Sequence, residues 1–312
     1  MSITIIGAGA IGGWLGATLA LAGESVAMVV RPGGTAPASM VLNGQVAPLR
    51  FVASDHVPSV PAEMLLIATK ATALADAADL ARGWIGPETL IVPLQNGVPW
   101  WFAGDSIRLA SVDPDGRIAA ALPMEQVLGS VVHAAARRTG PGQIELVHAD
   151  KLLIGEPAGG ASVRVTDLVD RLSRSGIPAV AHPDIRAASW YKAWGNMTIN
   201  PVSALTGATA DRIVDDQALR PFLLTAMAEA ATIGAAYGCP IAESGEARLA
   251  VTARLGAFKT SMLQDAETGR QLEHEALIGA PRELARRLEL ATPMLDVLHA
   301  LIAQKDATLR TC

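Results

Sequence analysis

Aromatic residues are scarce in this 312-residue chain, at 4% of the total, although half of its residues are hydrophobic. The core must therefore consist largely of Ala, Leu, Val and Ile. Only two cysteines are present, Cys239 and Cys312, without the spacing of a metal site or a disulfide framework. This usage favours a reducing compartment, and we predict a cytoplasmic protein. The chain is long enough for two domains.

Positive charge is also in short supply. The net charge of −5 and the pI near 5.7 argue against a broad nucleic-acid surface. The six histidines show no paired ligand spacing, so no metal site is predicted. No segment approaches the ~18 apolar residues of a membrane span. A secretion signal at the N-terminus is disfavoured, because no Lys or Arg precedes Arg31 and glycines interrupt the first apolar stretch.

A glycine motif follows the first predicted strand. Ile3 to Ile6 is a short run typical of a buried strand, residues 13–22 are predicted as a helix, and Ser25 to Val30 as the next strand. The motif between them is G-x-G-x-x-G in the strand–turn–helix context of a dinucleotide site. Its first glycine permits a tight turn, its second lets a pyrophosphate approach, and its third allows close packing. The predicted cofactor-binding residues here are Gly7, Ala8, Gly9, Ala10, Ile11 and Gly12.

The end of the second predicted strand indicates which dinucleotide binds. NAD-binding chains usually carry Asp or Glu at this point, whereas this chain has Arg31. A guanidinium suits the 2′-phosphate of NADP. The alternative is an ordinary solvated arginine. We predict NADP as the cofactor.

Two further predicted strands deliver polar residues at their carboxyl ends. Lys70 follows the run Met64 to Thr69, and Gln95-Asn96-Gly97 follows Leu90 to Leu94. Ligands bind at this edge of an open parallel sheet, although each residue alone could be a helix cap or a turn former. The stretch from Trp100 to Pro123 shows no clear period and is predicted to be an insertion or lid-like loop.

The remaining elements divide the chain into an α/β part and a helical part. Strands are predicted at 127–133, 143–147, 152–154 and 177–181, with a turn at Ala149-Asp150 and a helix at 163–173. Beyond His182-Pro-Asp184 strand signals vanish, and long helices fit 218–237, 243–263, 271–288 and 293–303. We predict a Rossmann-type, doubly wound sheet domain over residues 1–183 and an all-helical catalytic domain over residues 184–312.

A polar stripe opens the helical part. Lys192, Asn196 and Asn200 are four residues apart, so one narrow helix face carries a cation and two amides. A desolvated lysine there could give a proton to a carbonyl oxygen. The alternative is an amphipathic helix with a solvated lysine. Pro201 lacks an N–H and predicts a kink or stop just after Asn200.

The ordered set of motifs resembles the ketopantoate reductase (2-dehydropantoate 2-reductase) family over essentially the whole chain. The residues that carry the resemblance are Gly7 to Gly12, Arg31, Thr69-Lys70, Gln95 to Val98, His133 to Ala135, Lys192 to Pro201, and Thr260 to Asp265 with Glu273.

This resemblance implies NADPH-dependent reduction of a small 2-oxo acid, ketopantoate, to pantoate. It makes Lys192 the general acid and Glu273 a second catalytic residue that contacts bound substrate and cofactor. The residues that it implies for the ligands are Lys70, Asn96 and Ala134 for NADP, and Asn96, Asn196, Asn200 and Ser261 for the substrate. Capping or solvation is the alternative role for Ser261 and Glu273.

Three departures from the family pattern bear on the substrate. Gly195 lies inside the catalytic helix, the region Thr206 to Asp211 lacks a further asparagine, and Pro99 to Asp105 is rich in tryptophan. A reductase of another 2-oxo acid, an opine-type dehydrogenase and a non-catalytic NADP-binding sensor therefore stay open as alternatives. A homodimer is compatible with the sequence, which does not specify an oligomeric state.

Overall fold

The computed structural model describes residues 2–31, 33–56, 58–104 and 107–310. The chain forms two compact units. The first consists chiefly of the residues up to Gln95 and of Asp115–Ala188, and the second of Asn96–Ala103, Ile107–Pro114 and the residues from Ser189 onward. The second unit thus takes in two segments from the middle of the sequence, which a single division between residues 183 and 184 does not represent. That division stays a prediction.

The first unit alternates short buried strands with helices. Its strands are β1 (Ser2–Ile6), β2 (Ser25–Val29), β3 (Met40–Leu42), β4 (Gln45–Ala47), β5 (Arg50–Val52), β6 (Met64–Ile67), β7 (Leu90–Pro93), β8 (Gly129–Gly140), β9 (Gln143–Gly155) and β10 (Ala179–Ala181). Its helices are α1 (Ala10–Leu21), α2 (Leu74–Ala81), α3 (Arg117–Ala121) and α4 (Val163–Arg174).

A parallel sheet in the order β5-β2-β1-β6-β7 is the centre of this unit. Its inner strands are apolar runs that bury nearly every side chain, as parallel strands covered on both faces must. Because the strands are parallel, the residues after β1, β2, β6 and β7 come out at one edge. This arrangement confirms the predicted Rossmann-type α/β fold.

A second sheet pairs β9 with β10, β3 and β8, and β3 pairs with β4. The turn predicted at Ala149-Asp150 is wrong, because β9 runs without interruption beside β8. His133 faces Lys151 and Ala134 faces Ala149, so Asp150 is the extra residue of a β-bulge. A bulge and a turn share the same sequence signal, small and polar residues between two apolar runs.

The second unit is helical in the part that the structure describes. Its helices are α5 (Ile185–Thr206, whose first turn belongs to the first unit), α6 (Ala210–Asp215), α7 (Arg220–Ala236), α8 (Gly245–Arg254), α9 (Ser261–Glu267), a π-helical turn (Glu275–Gly279), α10 (Ala280–Arg287) and α11 (Pro293–Leu309). Trp190 and Trp194 of α5 are almost fully buried, and the Trp194 indole donates to the Met227 carbonyl of α7 at 2.8 Å. Among the described residues no helix is long and apolar enough to cross a membrane.

Three predictions about the second unit need correction. Of the kink or stop predicted after Asn200, the stop is wrong: helix α5 continues to Thr206, because Val202, Ser203 and Ala204 are buried and their packing outweighs the ~3 kcal/mol cost of an internal proline. The helix predicted over 243–263 is two helices, since Gly256 adopts a left-handed φ of 72° after α8. The helix predicted over 271–288 starts only after Glu273 and contains the π-turn.

The predicted lid-like loop is also wrong in its first half. Trp100, Trp101 and Phe102 are at most 5% exposed and belong to the second unit, where Phe102 packs against Trp190 with ring centroids 5.2 Å apart. Asp105 and Ser106 lie outside the described residues. Hydrophobic periodicity could not predict the burial of these three aromatic residues, because they do not lie in a helix or a strand.

Candidate active site

The turn after β1 has the geometry that the glycine motif predicts. Gly7 has a φ of 111°, and a β-carbon there would lie 2.7 Å from the backbone of Ala68. A β-carbon on Gly12 would collide with the Gly7 carbonyl. Packing within the protein therefore explains both glycines.

Gly9 differs from the other two. A β-carbon on it would meet nothing nearer than the Ala68 carbonyl oxygen at 4.0 Å, and its φ of −75° is open to any residue. The protein itself does not need a glycine here, so its absent side chain leaves room for a close approach from outside. Gly9 is also the N-cap of α1 and provides no side-chain cap, which leaves the first-turn N–H groups to another acceptor.

The other predicted cofactor residues of the first unit are distributed around this sheet. Ala8 lies within the turn, and Ala10 and Ile11 open α1. Arg31 is exposed two residues beyond β2 and makes no ion pair with another described residue. Lys70 lies three residues beyond β6, before a 3₁₀ turn, and Ala134 is a partly buried residue of β8. Of these residues, Ala8, Arg31 and Lys70 follow parallel strands and lie at the carboxyl edge of the sheet, whereas Ala134 lies within β8.

The chain beyond β7 is fixed by a side chain rather than by a strand. Gln95 donates from Nε2 to the carbonyl of Ile67 at 2.8 Å and to that of Thr69 at 3.3 Å. These bonds tie the ends of β6 and β7 together. The next residue, Asn96, already belongs to the second unit.

Lys192 of α5 donates a hydrogen bond from Nζ to Oδ1 of Asn96 at 2.7 Å. Burial of the ammonium lowers the pKa of Lys192 from 10.5 to about 8, and the negative charge of Glu273 opposes part of this shift. A cation that shares an amide and a carboxylate in a desolvated setting is suited to general acid work near neutral pH. The structure thus brings Lys192, Asn96 and Glu273 together.

The two asparagines of the stripe follow Lys192 along α5. Asn196 is partly buried and Asn200 only 7% exposed, yet neither side-chain amide hydrogen-bonds to another described residue. Buried amides normally find partners. Their donors and acceptors are therefore left for a bound molecule or water.

Ser261 and Glu273 have different surroundings. Ser261 is the exposed first residue of α9, and the capping role belongs to Thr260, whose Oγ1 accepts from the N–H of Leu263 at 3.2 Å. Glu273 is 6% exposed, so it is not a solvated surface acid. Capping therefore does not describe Ser261, although as an exposed residue it still fits the solvated alternative, and solvation does not describe Glu273.

Gly195 has a packing reason. A β-carbon there would lie 2.6 to 3.0 Å from the guanidinium of Arg248, which also lies over the Tyr191 ring at 5.0 Å from its centroid. Tyr191 in turn donates to Glu243. The glycine lets a cation pack on the helix that carries Lys192, which offsets its ~1 kcal/mol helix penalty.

One feature of the site gave no sequence signal beyond a glycine after Asn96. Gly97 has a φ of 90°, and the N–H of Val98 donates to the carbonyl of Ala276 in the π-turn at 2.8 Å. A β-carbon on Gly97 would lie 2.6 Å from that same carbonyl oxygen. The backbone after Asn96 therefore docks on the π-turn, which begins two residues after Glu273. Both partners of Lys192 are positioned by this one contact.

Two family models match the chain: "Ketopantoate reductase PanE/ApbA" over residues 3–159 and "Ketopantoate reductase PanE/ApbA C terminal" over residues 184–306. The chain belongs to the ketopantoate reductase family. It is thereby an oxidoreductase of a nicotinamide-dependent family.

Relatives of the family cover the whole chain. A 2-dehydropantoate 2-reductase from Mesorhizobium japonicum is 39% identical over 316 residues, covering 97% of both chains. A crystal structure from Ralstonia solanacearum MolK2, described provisionally as a ketopantoate reductase, is 44% identical with a TM-score of 0.92 over 98% of both chains. A 2-dehydropantoate 2-reductase structure from Methylococcus capsulatus is 28% identical with a TM-score of 0.82, over 99% of this chain and 98% of that one.

Proposed function

We propose that the protein reduces ketopantoate to pantoate with NADPH, with Lys192 as the general acid. The observation that carries the proposal is the Lys192–Asn96 hydrogen bond of 2.7 Å beside the charge of Glu273, with a lysine pKa of about 8. The names of the relatives favour this substrate over an opine-type reaction or a non-catalytic sensor. A place in pantothenate biosynthesis follows from the same proposal.

The proposed reaction needs a hydride and a proton. A reduced nicotinamide, when bound, supplies the hydride that attacks the C2 carbonyl carbon. Negative charge then develops on the carbonyl oxygen, and Lys192 donates the proton that neutralises it. With a pKa of about 8, the lysine is about ten to one protonated at pH 7. It also releases its proton more readily than an ordinary lysine.

The residues of the first unit fit a dinucleotide. Gly9 leaves room at the start of α1, and packing demands Gly7 and Gly12, so the motif provides both the shape and the N–H groups for a pyrophosphate. The exposed Arg31 guanidinium after β2 would bind a 2′-phosphate, which favours NADP over NAD. Lys70, Ala134 and the remaining motif residues complete the proposed cofactor set.

The residues of the second unit fit a short oxo acid. Asn196 and Asn200 present unpartnered amides along α5, and Ser261 offers an exposed hydroxyl for a carboxylate. Glu273 would contact bound substrate, and its charge supports protonated Lys192. Asn96 would contact both substrate and cofactor. A homodimer and a cytoplasmic location stay predictions.

The decisive experiment compares ketopantoate with 3-methyl-2-oxobutanoate, which lacks the hydroxymethyl group, by NADPH oxidation. A site that hydrogen-bonds the hydroxyl should reject the analogue by up to ~10⁴-fold in kcat/KM, because its amides would be left unpaired. Residues 206–211 lack an asparagine that could bind the hydroxyl, and this would reduce the ratio of kcat/KM between the two substrates. Comparable efficiencies, or a preference for the analogue, would assign the chain to a different 2-oxo acid.

A second arm separates the reaction types. The same oxidation assay is run across 2-oxo acids with and without added amino acids. Turnover that requires an amine would replace the proposed reduction by an opine-type reaction, and NADPH binding without turnover of any oxo acid would leave only a sensor.

A further inference from the structure

Two histidines from distant parts of the sequence meet beside the π-turn. His274 directly precedes the turn and His299 lies on α11, with ring centroids 5.5 Å apart. Oε1 of Glu275 lies 3.1 Å from Nε2 of His299 and 3.4 Å from Nδ1 of His274. One ligand atom from each of the three residues lies within 4.8 Å of the others.

These separations match the coordination sphere of a small divalent cation. Zinc binds imidazole nitrogen and carboxylate oxygen at ~2.0 to 2.2 Å, so tetrahedral ligands lie ~3.3 to 3.5 Å apart. The two measured nitrogen–oxygen separations, 3.1 and 3.4 Å, are close to that range. The two imidazole nitrogens lie within 4.8 Å of each other. The exposed side of Glu275 leaves a fourth position for water.

His274 is the unusual member of the cluster. Its side chain is 9% exposed, and its Nδ1, which points toward Glu275, makes no hydrogen bond with any described residue. Buried polar atoms normally have a partner, so this nitrogen is left for a ligand. Nε2 of His299 and Oε1 of Glu275 already face each other at 3.1 Å.

A buried carboxylate stands behind His274. Oδ2 of Asp306 lies 3.7 Å from Nε2 of His274, and Asp306 is fully buried. It is held by the N–H of Leu272 at 2.7 Å and by Arg310 at 2.9 Å. Metal-ligating histidines commonly direct their second nitrogen to such a carboxylate, which fixes the tautomer and orients the ring.

The nearby cations are already engaged. Arg310 pairs with Asp306, and Arg282 pairs with Asp296 at 2.5 Å. Gly279 provides the remaining space, because a β-carbon there would collide with the Glu275 carboxylate. The carboxylate can therefore lie over the π-turn and face the two imidazoles.

We propose that His274, Glu275 and His299 bind one divalent transition cation of the zinc class. Two imidazoles and a carboxylate form a ligand set that suits zinc, nickel or copper rather than calcium or magnesium. The cation would fasten the π-turn to α11. That turn also accepts the Val98 hydrogen bond through Ala276, so the site would stabilise the backbone on which the Asn96 segment docks.

Calorimetric titration of chelator-treated, tag-free protein with Zn²⁺ tests the proposal, with Co²⁺ as a spectroscopic probe. We expect one site per chain and visible d–d absorption on Co²⁺ binding. The affinity for both metals should fall at least ~100-fold in His299→Ala and in Glu275→Gln. His148→Ala, which removes an exposed histidine of β9, should bind both metals as the wild type does. Asp306→Asn should weaken Zn²⁺ binding by ~10- to 100-fold through the orientation of His274.

A folding control accompanies each variant. Far-UV circular dichroism and the unfolding temperature without metal identify variants that lose binding only because they unfold, and Glu275→Gln, at a partly exposed side chain, is the substitution least expected to do so. Zn²⁺ should raise the unfolding temperature of the wild type and not that of Glu275→Gln. The proposal is overturned if the wild type binds no Zn²⁺, or if the folded His299→Ala and Glu275→Gln variants bind it as tightly as His148→Ala does.

Discussion

Replacement of Lys192 by alanine provides the sharpest test of the proposed chemistry. The change removes the proton donor and its 2.7 Å bond to Asn96, while every residue proposed for the cofactor other than Asn96 lies in the first unit and is kept. A positioned general acid contributes typically ~10²- to 10⁴-fold, so kcat should fall by at least ~10²-fold. Binding of NADPH, followed by its fluorescence, should be nearly unchanged. Lys305→Ala, on α11, is the matched control for loss of a lysine.

The pH dependence gives a second measure of the same residue. The folded pKa of Lys192 is lowered to about 8, so the protonated acid is lost as pH rises through that value. In the wild type kcat/KM for reduction should therefore decline about tenfold per pH unit above pH ~8. Glu273 raises the lysine pKa, so Glu273→Gln should move this decline to lower pH.

Two outcomes would refute this reasoning. Near wild-type turnover by Lys192→Ala would transfer the acid role to another group, with Lys70 the next candidate. A decline that stays at the same pH in Glu273→Gln would show that the titrating group is not the lysine beside that carboxylate. Rates of NADPH oxidation from about pH 6 to pH 10 measure both.

Three further predictions concern the cofactor and the fold. Arg31→Ala should weaken the binding of NADPH roughly ten- to a hundredfold and leave the binding of NADH unchanged, because a charge-assisted hydrogen bond is worth ~1.5–3 kcal/mol. Equal losses of affinity for both cofactors in titrations would contradict this. Gly9→Ala should leave the unfolding temperature unchanged yet weaken the binding of NADPH. Gly7→Ala should lower the unfolding temperature, since of these two glycines only Gly7 has a left-handed φ and a close backbone neighbour. Glu283→Gln should lower the midpoint of urea unfolding, because its carboxylate accepts from the N–H groups of Ala110 and Ser111 at 3.0 and 2.8 Å; an unchanged midpoint would argue against this.

The pKa of Glu283 explains why its charge matters. Burial alone would raise the pKa, but the hydrogen bonds from Ser111, Arg287 and Ala110 hold it below the usual value. The carboxylate is thus ionised in the folded state at neutral pH. Its stabilising contribution is present above the unfolded pKa near 4.5 and is lost as pH falls through the lower folded value.

Local patterns were enough to predict the central strands of the first unit, whereas the short strands β3, β4 and β5 were not predicted. The strands around Gly7, Lys70 and Gln95 are continuous apolar runs, and a glycine motif between a strand and a helix has few other interpretations. Their boundaries agree with the prediction within a few residues. The extended pairing of β8 and β9 was missed because a bulge at Asp150 resembles a turn in sequence.

The second unit was less predictable because tertiary contacts determine its details. Helix α5 passes through Pro201 only because the residues after it are buried, and the π-turn is set by packing. The stripe of Lys192 and its asparagines could be inferred from spacing alone. The hydrogen bond from Lys192 to Asn96 could not, since 96 residues separate the partners. The same holds for His274 and His299.

The membership of Trp100, Trp101 and Phe102 in the second unit limits how this chain can be divided. A fragment that ends at residue 183 would keep these three aromatics while losing Trp190, against which Phe102 packs. Their apolar surface would then face water, and we expect such a fragment to aggregate on expression. Residues 1–183 are therefore not a transferable module, and a chimaera that exchanges them for the corresponding part of a relative must carry over residues 96–103 and 107–114 with the helical unit.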